Sequence, residues 1–401
     1  MAFDGPTHDA PSRSPRRRVL QLKLEGAANQ FKVALTANRP MKLESVEAFP
    51  IRLKVEENLR GGTFAYNHYQ TVIVRVEVDG VEGWGEAMTR FDPDATALMV
   101  RYLAKSVLGS EFQDVHQPWA LAWRELRIRG HTRGTDVEAL SGIEMGLYDA
   151  LGQILGRPLG ALFTRQPRRR VPVFAGSLFS SRGDLEDQVD EAKSRGLAGA
   201  KVKIGFGIRD DHRTLERVRR RWPDGILVGD ANGAYDANVA AKACEAFADL
   251  DLAWFEEPVL SDDIEGYARL KKSPVKIGAG ESWYVGDFRG PVERRLVQVV
   301  EPSVSRCGGV GVQIDVARRA ARKAISFSPM VGMNSVLSLA ASIHAASVCG
   351  SVGVEYNPFP NPLQTDLGNG IANPTGGAIE VPRGPGLGVV IDRRFVKKHS
   401  R

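Results

Sequence analysis

Lys201-Val202-Lys203 is the first of four charged positions that recur at nearly one spacing along the chain. Asp230, Glu256 and Glu281 follow it at steps of 27, 26 and 25 residues. A strand, a crossover helix and two short loops use about that many residues, so the period predicts successive β/α units of a barrel. Each charged position then lies at a strand end, and these ends converge on one mouth of the barrel.

The three carboxylates are candidate metal ligands. Buried carboxylates are rare unless they are paired or bound to metal. Any one of them alone is equally typical of a strand-end ion pair, but the shared spacing of all three favours a metal site. Oxygen ligands suit Mg²⁺, with Mn²⁺ as a substitute. An apolar run precedes each carboxylate, as expected for a buried strand: Ile226-Leu227-Val228-Gly229, Leu252-Ala253-Trp254-Phe255 and Ile277-Gly278-Ala279-Gly280.

The two lysines are candidate acid/base residues. Residues two apart on a strand face the same side, so Lys201 and Lys203 should both point into the barrel. Two neighbouring ammonium groups repel each other, which predicts a lowered pKa for one of them and a usable general base. A pair of solvated surface lysines is the alternative. The flanking pairs Gly199-Ala200 and Ile204-Gly205 are typical of a buried strand and disfavour it.

Composition excludes several classes of protein. The chain has 401 residues, and its three cysteines form no C-x-x-C pair, which favours a reducing, cytoplasmic compartment. The net charge of +6 lies in the termini, so no basic surface for nucleic acid is predicted. Residues 1–40 lack an apolar stretch that could enter a membrane, and we expect a disordered basic extension there.

The patterning divides the folded part into two domains and a closing segment. Strand alternation at residues 41–55 and 71–78, followed by helical periodicity, predicts an N-terminal α+β capping domain over residues 41–170. Alternating strands and helices predict the barrel over residues 171–370. We expect residues 371–401 to form a loop and a short strand that pack back on the cap. Barrel helices are predicted at 185–195, 210–221, 239–250, 264–272, 312–324 and 336–348.

Seven segments carry a resemblance to a known family. They are KVKIGFG from Lys201, GDANGAYD from Gly229, WFEEP from Trp254, GAGESW from Gly278, SRCGG from Ser305, VEYNP from Val354 and VPRGPGLGV from Val381. Together they resemble the mandelate racemase/muconate lactonizing enzyme family of the enolase superfamily, over about residues 41–394. The galactarolactone cycloisomerase and acid-sugar dehydratase members look most similar. The resemblance implies an α/β fold, a modified TIM barrel (β/α)7β with a capping domain.

The resemblance also implies roles for residues around the mouth. Lys203 matches the general base, Lys201 would contact the substrate carboxylate, and Glu355 would hydrogen-bond the developing oxyanion. One Mg²⁺ per subunit would be held by the three spaced carboxylates, with Asn232 and Glu257 supporting them. A Lys or His base combined with Mg²⁺ is the known pattern of that superfamily and is taken from it, not from these residues.

The capping loop supplies further candidates. Residues 59–69 correspond to the family's mobile loop, which closes over the substrate. Within it, the candidates for binding substrate hydroxyls are Tyr66, Asn67, His68 and Tyr69. Asn232 at the barrel mouth is a further candidate for binding the substrate.

One departure from the family pattern limits the chemistry. Racemases and many dehydratases of the family place an Asp–His dyad on the face opposite the lysine. Here Ser303 stands at the aspartate position, and no histidine occurs between Ala324 and Ile343. A two-base proton transfer, which needs groups on both faces, is therefore disfavoured. Abstraction and donation on one face remain feasible.

These observations predict Mg²⁺-dependent removal of a proton α to a carboxylate. Dehydration of an acid sugar or cycloisomerisation of its lactone is the favoured outcome, with a small-molecule carboxylate as partner. Three alternatives stay open: a racemase or epimerase whose second base is Glu301 or a cap residue, a catalytically impaired metal-binding member, and a Schiff-base aldolase. We also expect a homo-oligomer, from dimer to octamer.

Overall fold

The structure is a computed structural model that describes residues 39–400, apart from the side chains of residues 56–58. The basic extension predicted for residues 1–40 lies almost entirely outside the described residues. Within the described range, no helix is long and apolar enough to cross a membrane.

An antiparallel sheet forms the N-terminal cap. Its strands are Met41–Arg60 (β1), Ala65–Val78 (β2), Val81–Met88 (β3) and Glu111–Phe112 (β4), and they lie in the order β3-β2-β1-β4. The strands predicted at residues 41–55 and 71–78 are confirmed as parts of β1 and β2. The cap helices are Pro93–Val107, His116–Ile128, Thr135–Ile154 and Leu159–Phe163.

The helix Thr135–Ile154 packs directly against β3, and glycines make this approach possible. A Cβ on Gly85 would stand 2.1 Å from the carbonyl oxygen of Gly142, and a Cβ on Gly83 would stand 2.1 Å from that of Gly146. Any larger residue in β3 at these positions would push the helix away. The helix is buried along most of its length, so its polar side chains must find partners inside the protein.

Eight parallel strands form the barrel. They are Arg170–Leu178 (β5), Gly199–Lys203 (β6), Ile226–Asp230 (β7), Trp254–Glu256 (β8), Ile277–Ala279 (β9), Val299–Val300 (β10), Ser326–Phe327 (β11) and Val354–Tyr356 (β12). Their order is β11-β10-β9-β8-β7-β6-β5-β12. The two ends of this path meet where Val352 N–H donates to Phe327 O at 3.0 Å and Ser328 Oγ donates to Gly353 O at 2.9 Å.

Helices follow the strands as predicted. The six expected helices are present as Leu185–Ser194, Ile208–Arg221, Ala237–Ala246, Ile264–Leu270, Val310–Arg322 and Val336–Cys349. A further short helix, Arg289–Arg294, was not predicted. The (β/α)7β barrel and the capping domain are therefore confirmed.

The barrel interior changes from apolar to charged along the strands. Phe174, Val228, Trp254 and Val299 form a buried cluster, in which the Phe174 and Trp254 rings meet edge to face at 5.7 Å. Side chains two residues further along a strand face the same way, so Asp230 follows Val228 inside the barrel. The apolar cluster thus lies beneath a charged layer at the mouth.

The C-terminal segment contacts both domains. Ala378–Glu380 (β14) pairs antiparallel with β5, while Leu387 N–H donates to Asp149 Oδ1 of the cap at 2.7 Å. Val390–Ile391 (β15) pairs with Gly368–Asn369 (β13). The helix Arg393–His399, capped by the Asp392 carboxylate, was not predicted.

Candidate active site

Both lysines of β6 are buried at the barrel mouth. The exposed fraction is 1% for Lys201 and 6% for Lys203. Lys201 Nζ lies 2.8 Å from Glu256 Oε1 and 3.3 Å from Asp230 Oδ2, and it also pairs with Glu355. The interpretation of these residues as surface lysines is therefore wrong.

Lys203 forms a second ion pair in the same layer. Its Nζ contacts the Asp230 carboxylate and donates to Asn232 Oδ1 at 2.8 Å. β6 is fully buried and lies between β5 and β7, and this fixes the direction of both lysine side chains.

The predicted lowering of a lysine pKa is wrong for Lys201. Burial does disfavour its charged form, but Glu256, Glu355 and Asp230 outweigh burial and raise the pKa of Lys201 well above its ordinary value. The prediction considered only the positive charges, the second lysine and a nearby divalent cation, whereas carboxylates from the neighbouring strands dominate the local field.

The three predicted metal ligands lie around these amino groups. Asp230 ends β7, Glu256 ends β8, and Glu281 lies two residues beyond the end of β9. Burial raises the pKa of Asp230, but Lys203 and Lys201 outweigh it, so that this pKa is lowered overall. The pKa of Glu256 is raised well above its usual range by burial and by the negative charge of Asp230.

The donor chemistry of this layer fits a hard divalent cation. Within residues 39–400, no three His, Cys, Asp or Glu side chains stand close enough together to hold an ion, and the lysine amino groups lie against Glu256 and Asp230. Glu256 Oε2, however, is buried and has no hydrogen-bond partner among the described atoms. A buried carboxylate oxygen without a partner, beside two further carboxylates, is what an oxygen-binding cation such as Mg²⁺ would satisfy.

Asn232 connects the base to two candidate ligands. Its Nδ2 donates to Glu281 Oε1 at 2.9 Å, and its backbone N–H donates to Asp230 Oδ1 at 3.0 Å. Asn232 has φ 46° and Glu257 has φ 38°, both in the left-handed region. Such backbone conformations cost about 1–3 kcal/mol and cluster at functional sites. The strain occurs where the chain leaves β7 and β8 beside the charged layer.

Glu355 is held as a hydrogen-bond acceptor. Its Oε2 accepts from Val331 N–H at 3.1 Å and from Gly332 N–H at 2.7 Å, and its other oxygen faces Lys201. The predicted contact with an oxyanion requires a proton to donate, and in this arrangement the ammonium of Lys201 carries one. The role of Glu355 stays a prediction.

The opposite wall of the mouth is neutral. Ser303 and Met330 form a bridge between the ends of β10 and β11, and both are buried. Asn334 Nδ2 donates to Ser305 Oγ at 2.9 Å, and Ser305 lies 3.4 Å from Ser303 Oγ. Glu301, the alternative base on this side, accepts from Trp254 Nε1 at 2.9 Å inside the barrel.

The capping loop between β1 and β2 rests on the barrel mouth. A Cβ on Gly62 would stand 2.7 Å from Gly205 O, so the two backbones touch with no side chain between them. Thr63 Oγ1 donates to Asn232 O at 3.1 Å. The Phe64 ring centroid lies 5.3 Å from Lys203 Nζ, which places an aromatic side chain beside the candidate base.

A cavity of about 80 Å³ contains the candidate chemistry. Its lining includes Lys201, Lys203, Glu281, Glu355, Tyr66 and His68. A larger cavity of about 590 Å³ adjoins it and is lined by Asn67 and Asn232, with Tyr66, His68 and Glu281 shared between the two. The predicted loop residues lie on β2 instead: Tyr66 and His68 line the smaller cavity with the base, whereas Asn67 lines the larger one.

Sequence reasoning missed two arginines that contact Glu281, one at its carboxylate and one at its backbone carbonyl oxygen. Arg90 NH2 lies 3.6 Å from Glu281 Oε1. Arg306 donates to Glu281 O at 3.3 Å and to Glu138 Oε1 of the cap at 3.1 Å. The SRCGG motif contains Arg306, but its partners are far away in the sequence and no local pattern marks them.

Comparison with known proteins identifies the class. Residues 184–395 match the family described as enolase C-terminal domain-like, and residues 57–163 match the mandelate racemase / muconate lactonizing enzyme N-terminal domain. The first match covers more than half of the chain. The protein therefore belongs to the mandelate racemase/muconate lactonizing enzyme family of the enolase superfamily.

Individual relatives include isomerases and a lyase. D-galactarolactone cycloisomerase of Agrobacterium fabrum is 27% identical over 371 residues, covering 88% of this chain and 97% of the relative. Arabinonate dehydratase of Saccharolobus solfataricus is 26% identical, with 80% and 88% covered. A racemase from Streptomyces coelicolor with bound magnesium superimposes with a TM-score of 0.80 at 25% identity, covering 90% of this chain and all of that one.

Proposed function

We propose that this protein removes the proton α to the carboxylate of an acid sugar or its lactone and then expels a β-oxygen. The observation that carries the proposal is the position of Lys203, which lines the cavity together with Glu281 and belongs to the same hydrogen-bonded layer as Asp230. Relatives that act on D-galactarolactone and arabinonate support this substrate class.

In the proposed mechanism Lys203 Nζ accepts the α-proton. Asn232 orients it through the 2.8 Å hydrogen bond, and the adjacent ring of Phe64 excludes water from one side. Lys201 binds and orients the substrate carboxylate by donating protons of its ammonium group. Asp230, Glu256 and Glu281 would hold Mg²⁺, which when bound stabilises negative charge developing on a carboxylate oxygen. The relative with bound magnesium supports this cofactor.

The neutral wall favours elimination over racemisation. Racemisation needs a proton donor on the face opposite the base, and that face presents Ser303 and Met330. β-Elimination needs only one basic face. Assembly into a homo-oligomer and a cytoplasmic location stay predictions from the sequence.

A screen with Mg²⁺ tests the proposal. D-galactarolactone, arabinonate, galactonate, mandelate and N-succinyl amino acids would be followed by NMR for dehydration, isomerisation and exchange of the α-proton in D₂O. We expect turnover of an acid sugar or lactone by the wild type and its loss in Lys203→Ala. Racemisation of mandelate or of an N-succinyl amino acid would contradict the proposal, as would an absence of Lys203-dependent exchange from the whole panel.

A further inference from the structure

A phenol and a guanidinium from the cap form a contact pair above the candidate base. Arg90 lies just beyond the end of β3, and its NH1 donates to the Tyr66 hydroxyl. Both side chains line the cavity that contains Lys201 and Lys203, and both also line the larger cavity beside it. Neither Tyr66 nor Arg90 has a role in the mechanism proposed above.

The pair lies one side chain away from the base. The Phe64 ring is 5.3 Å from Lys203 Nζ and 4.5 Å, centroid to centroid, from the Tyr66 ring. A substrate whose α-carbon reaches Lys203 therefore has its neighbouring carbons within the same small cavity as the phenol. Lys203 belongs to the barrel and Tyr66 to the cap, so the two approach the substrate from different domains.

The contact leaves the phenol ready to donate. The Tyr66 oxygen accepts an N–H from Arg90, so its own proton points elsewhere, and a cation beside the oxygen stabilises a phenolate. On its other side, Arg90 NH2 lies 3.6 Å from Glu281 Oε1.

We propose that Tyr66 is the general acid of the elimination, and that Arg90 is the positioning residue that stabilises its phenolate. This inference rests on the proposed function. Lys203 takes the α-proton, and the C–H electron pair is first delocalised onto the substrate carboxylate. That pair then forms the Cα=Cβ double bond, and the Cβ–O bond breaks with its electrons on oxygen. That oxygen takes the phenolic proton of Tyr66 and leaves as water. Solvent returns a proton to the phenolate, and the enol product tautomerises without an oxidant or reductant.

Tyr66 would supply the general acid that the neutral wall lacks. Hydroxide is a poor leaving group, and general acids typically accelerate such steps by roughly 10²–10⁴-fold. Ser303 and Met330 cannot provide the proton at neutral pH. A donor on the cap would provide it when the capping loop lies on the barrel mouth, as it does here.

Changing the leaving group tests the assignment. The probes are arabinonate and galactonate, each compared with its 3-deoxy-3-fluoro analogue, because fluoride departs without protonation. In Tyr66→Phe we expect elimination of water to fall roughly 10²–10⁴-fold and elimination of fluoride to fall less than about tenfold. Lys203-dependent exchange of the α-proton in D₂O should persist. Arg90→Met should likewise slow the elimination of water more than the elimination of fluoride. In Arg90→Lys the difference between the two losses should be smaller.

Tyr102→Phe is the matched control, because Tyr102 lies on the cap helix Pro93–Val107 and its hydroxyl contacts Glu125. It should leave both eliminations unchanged. Equal losses with hydroxide and fluoride in Tyr66→Phe would show that Tyr66 only binds substrate and would overturn the inference. If the wild type shows no Lys203-dependent exchange with either sugar, the proposed function fails and this inference fails with it.

Discussion

The two walls of the barrel mouth differ in charge although both are built from the ends of parallel strands. On β6 and β7, Lys201, Lys203 and Asp230 form a buried ionic layer. Across the mouth, Ser303 and Met330 are buried and uncharged. The barrel positions side chains in the same way on both sides, so under the proposed function the residue types determine which face can transfer a proton.

The walls are also held in different ways. The charged wall is held by its own ion pairs. The neutral wall depends on carboxylates of the cap: Glu144 accepts from Val310 N–H and Gly311 N–H at 2.7 Å each, and Glu86 accepts from Ser335 N–H at 2.9 Å. Each of these contacts satisfies N–H groups at the start of a barrel helix.

The largest effect is expected from removing the base. Lys203→Ala should lower exchange of the α-proton by at least roughly 10²–10⁴-fold, the usual contribution of a general base. In the wild type, D₂O exchange followed by NMR should occur with one α-configuration only. Lys272→Ala, at an exposed lysine, is the control. Exchange from both antipodes would mean that the neutral wall or the cap holds a second base, with Glu301 and His68 the first to mutate.

Removing a carboxylate should abolish metal binding. In Asp230→Asn, Glu256→Gln and Glu281→Gln we expect Mg²⁺ binding to disappear in calorimetric titration while far-UV circular dichroism stays unchanged. The physical reason is the loss of one of three anionic ligands. Glu265→Gln, whose carboxylate pairs with Arg294 on an outer helix, should bind Mg²⁺ normally. Unchanged affinity in all three variants would remove the metal assignment.

The contribution of Glu144, which holds the neutral wall, to the free energy of unfolding should depend on pH. Burial raises the pKa of Glu144 from 4.5 to about 8, although Gly311 and Val310 N–H groups oppose the shift. The folded protein then binds more protons than the unfolded chain between these values, so the free energy of unfolding falls as pH rises from about 4.5 to 8. Urea unfolding at pH 5 and pH 8 should show a smaller difference in Glu144→Gln than in the wild type. An equal pH dependence in both proteins would contradict this.

The smallest effect is expected on the neutral wall itself. Ser303→Ala removes a hydroxyl that lies 3.4 Å from Ser305 Oγ and carries no charge. The rate of exchange should change by less than about tenfold, because loss of a neutral hydrogen bond costs about 0.5–1.5 kcal/mol. The rate of D₂O exchange checks this. A loss as large as that of Lys203→Ala would contradict the assignment of proton transfer to the charged wall alone.

The sequence predicts the fold well because the barrel period is a local property. Each unit contains an apolar strand, a charged end and an amphipathic helix, and these recur at nearly constant spacing from Lys201 to Glu281. The helix Arg393–His399 was missed because seven residues with a basic end give little periodicity. It begins at Asp392, whose carboxylate accepts from Arg394 N–H and Phe395 N–H.

The site was predictable only in part. Strand register placed Lys201 and Lys203 on one face, and apolar runs placed the carboxylates nearby. The electrostatic field at Lys201 was not predictable, because it depends on distances between side chains of different strands. One such distance is the 2.8 Å between Lys201 Nζ and Glu256 Oε1. Arg90 was missed because its partners, Tyr66 on β2 of the cap and Glu281 at the barrel mouth, are both far away in the sequence.

The cap carboxylates have a consequence for folding. Glu144 and Asp149, both on the helix Thr135–Ile154, supply acceptors to backbone N–H groups that belong to the barrel and the C-terminal segment. A barrel separated from this helix would leave those donors without partners, at a cost of about 1–3 kcal/mol for each that stays buried. The two sequence-defined domains are thus not independent modules: we expect residues 171–401 alone to give no cooperative melting transition in calorimetry, and the full chain to melt in one.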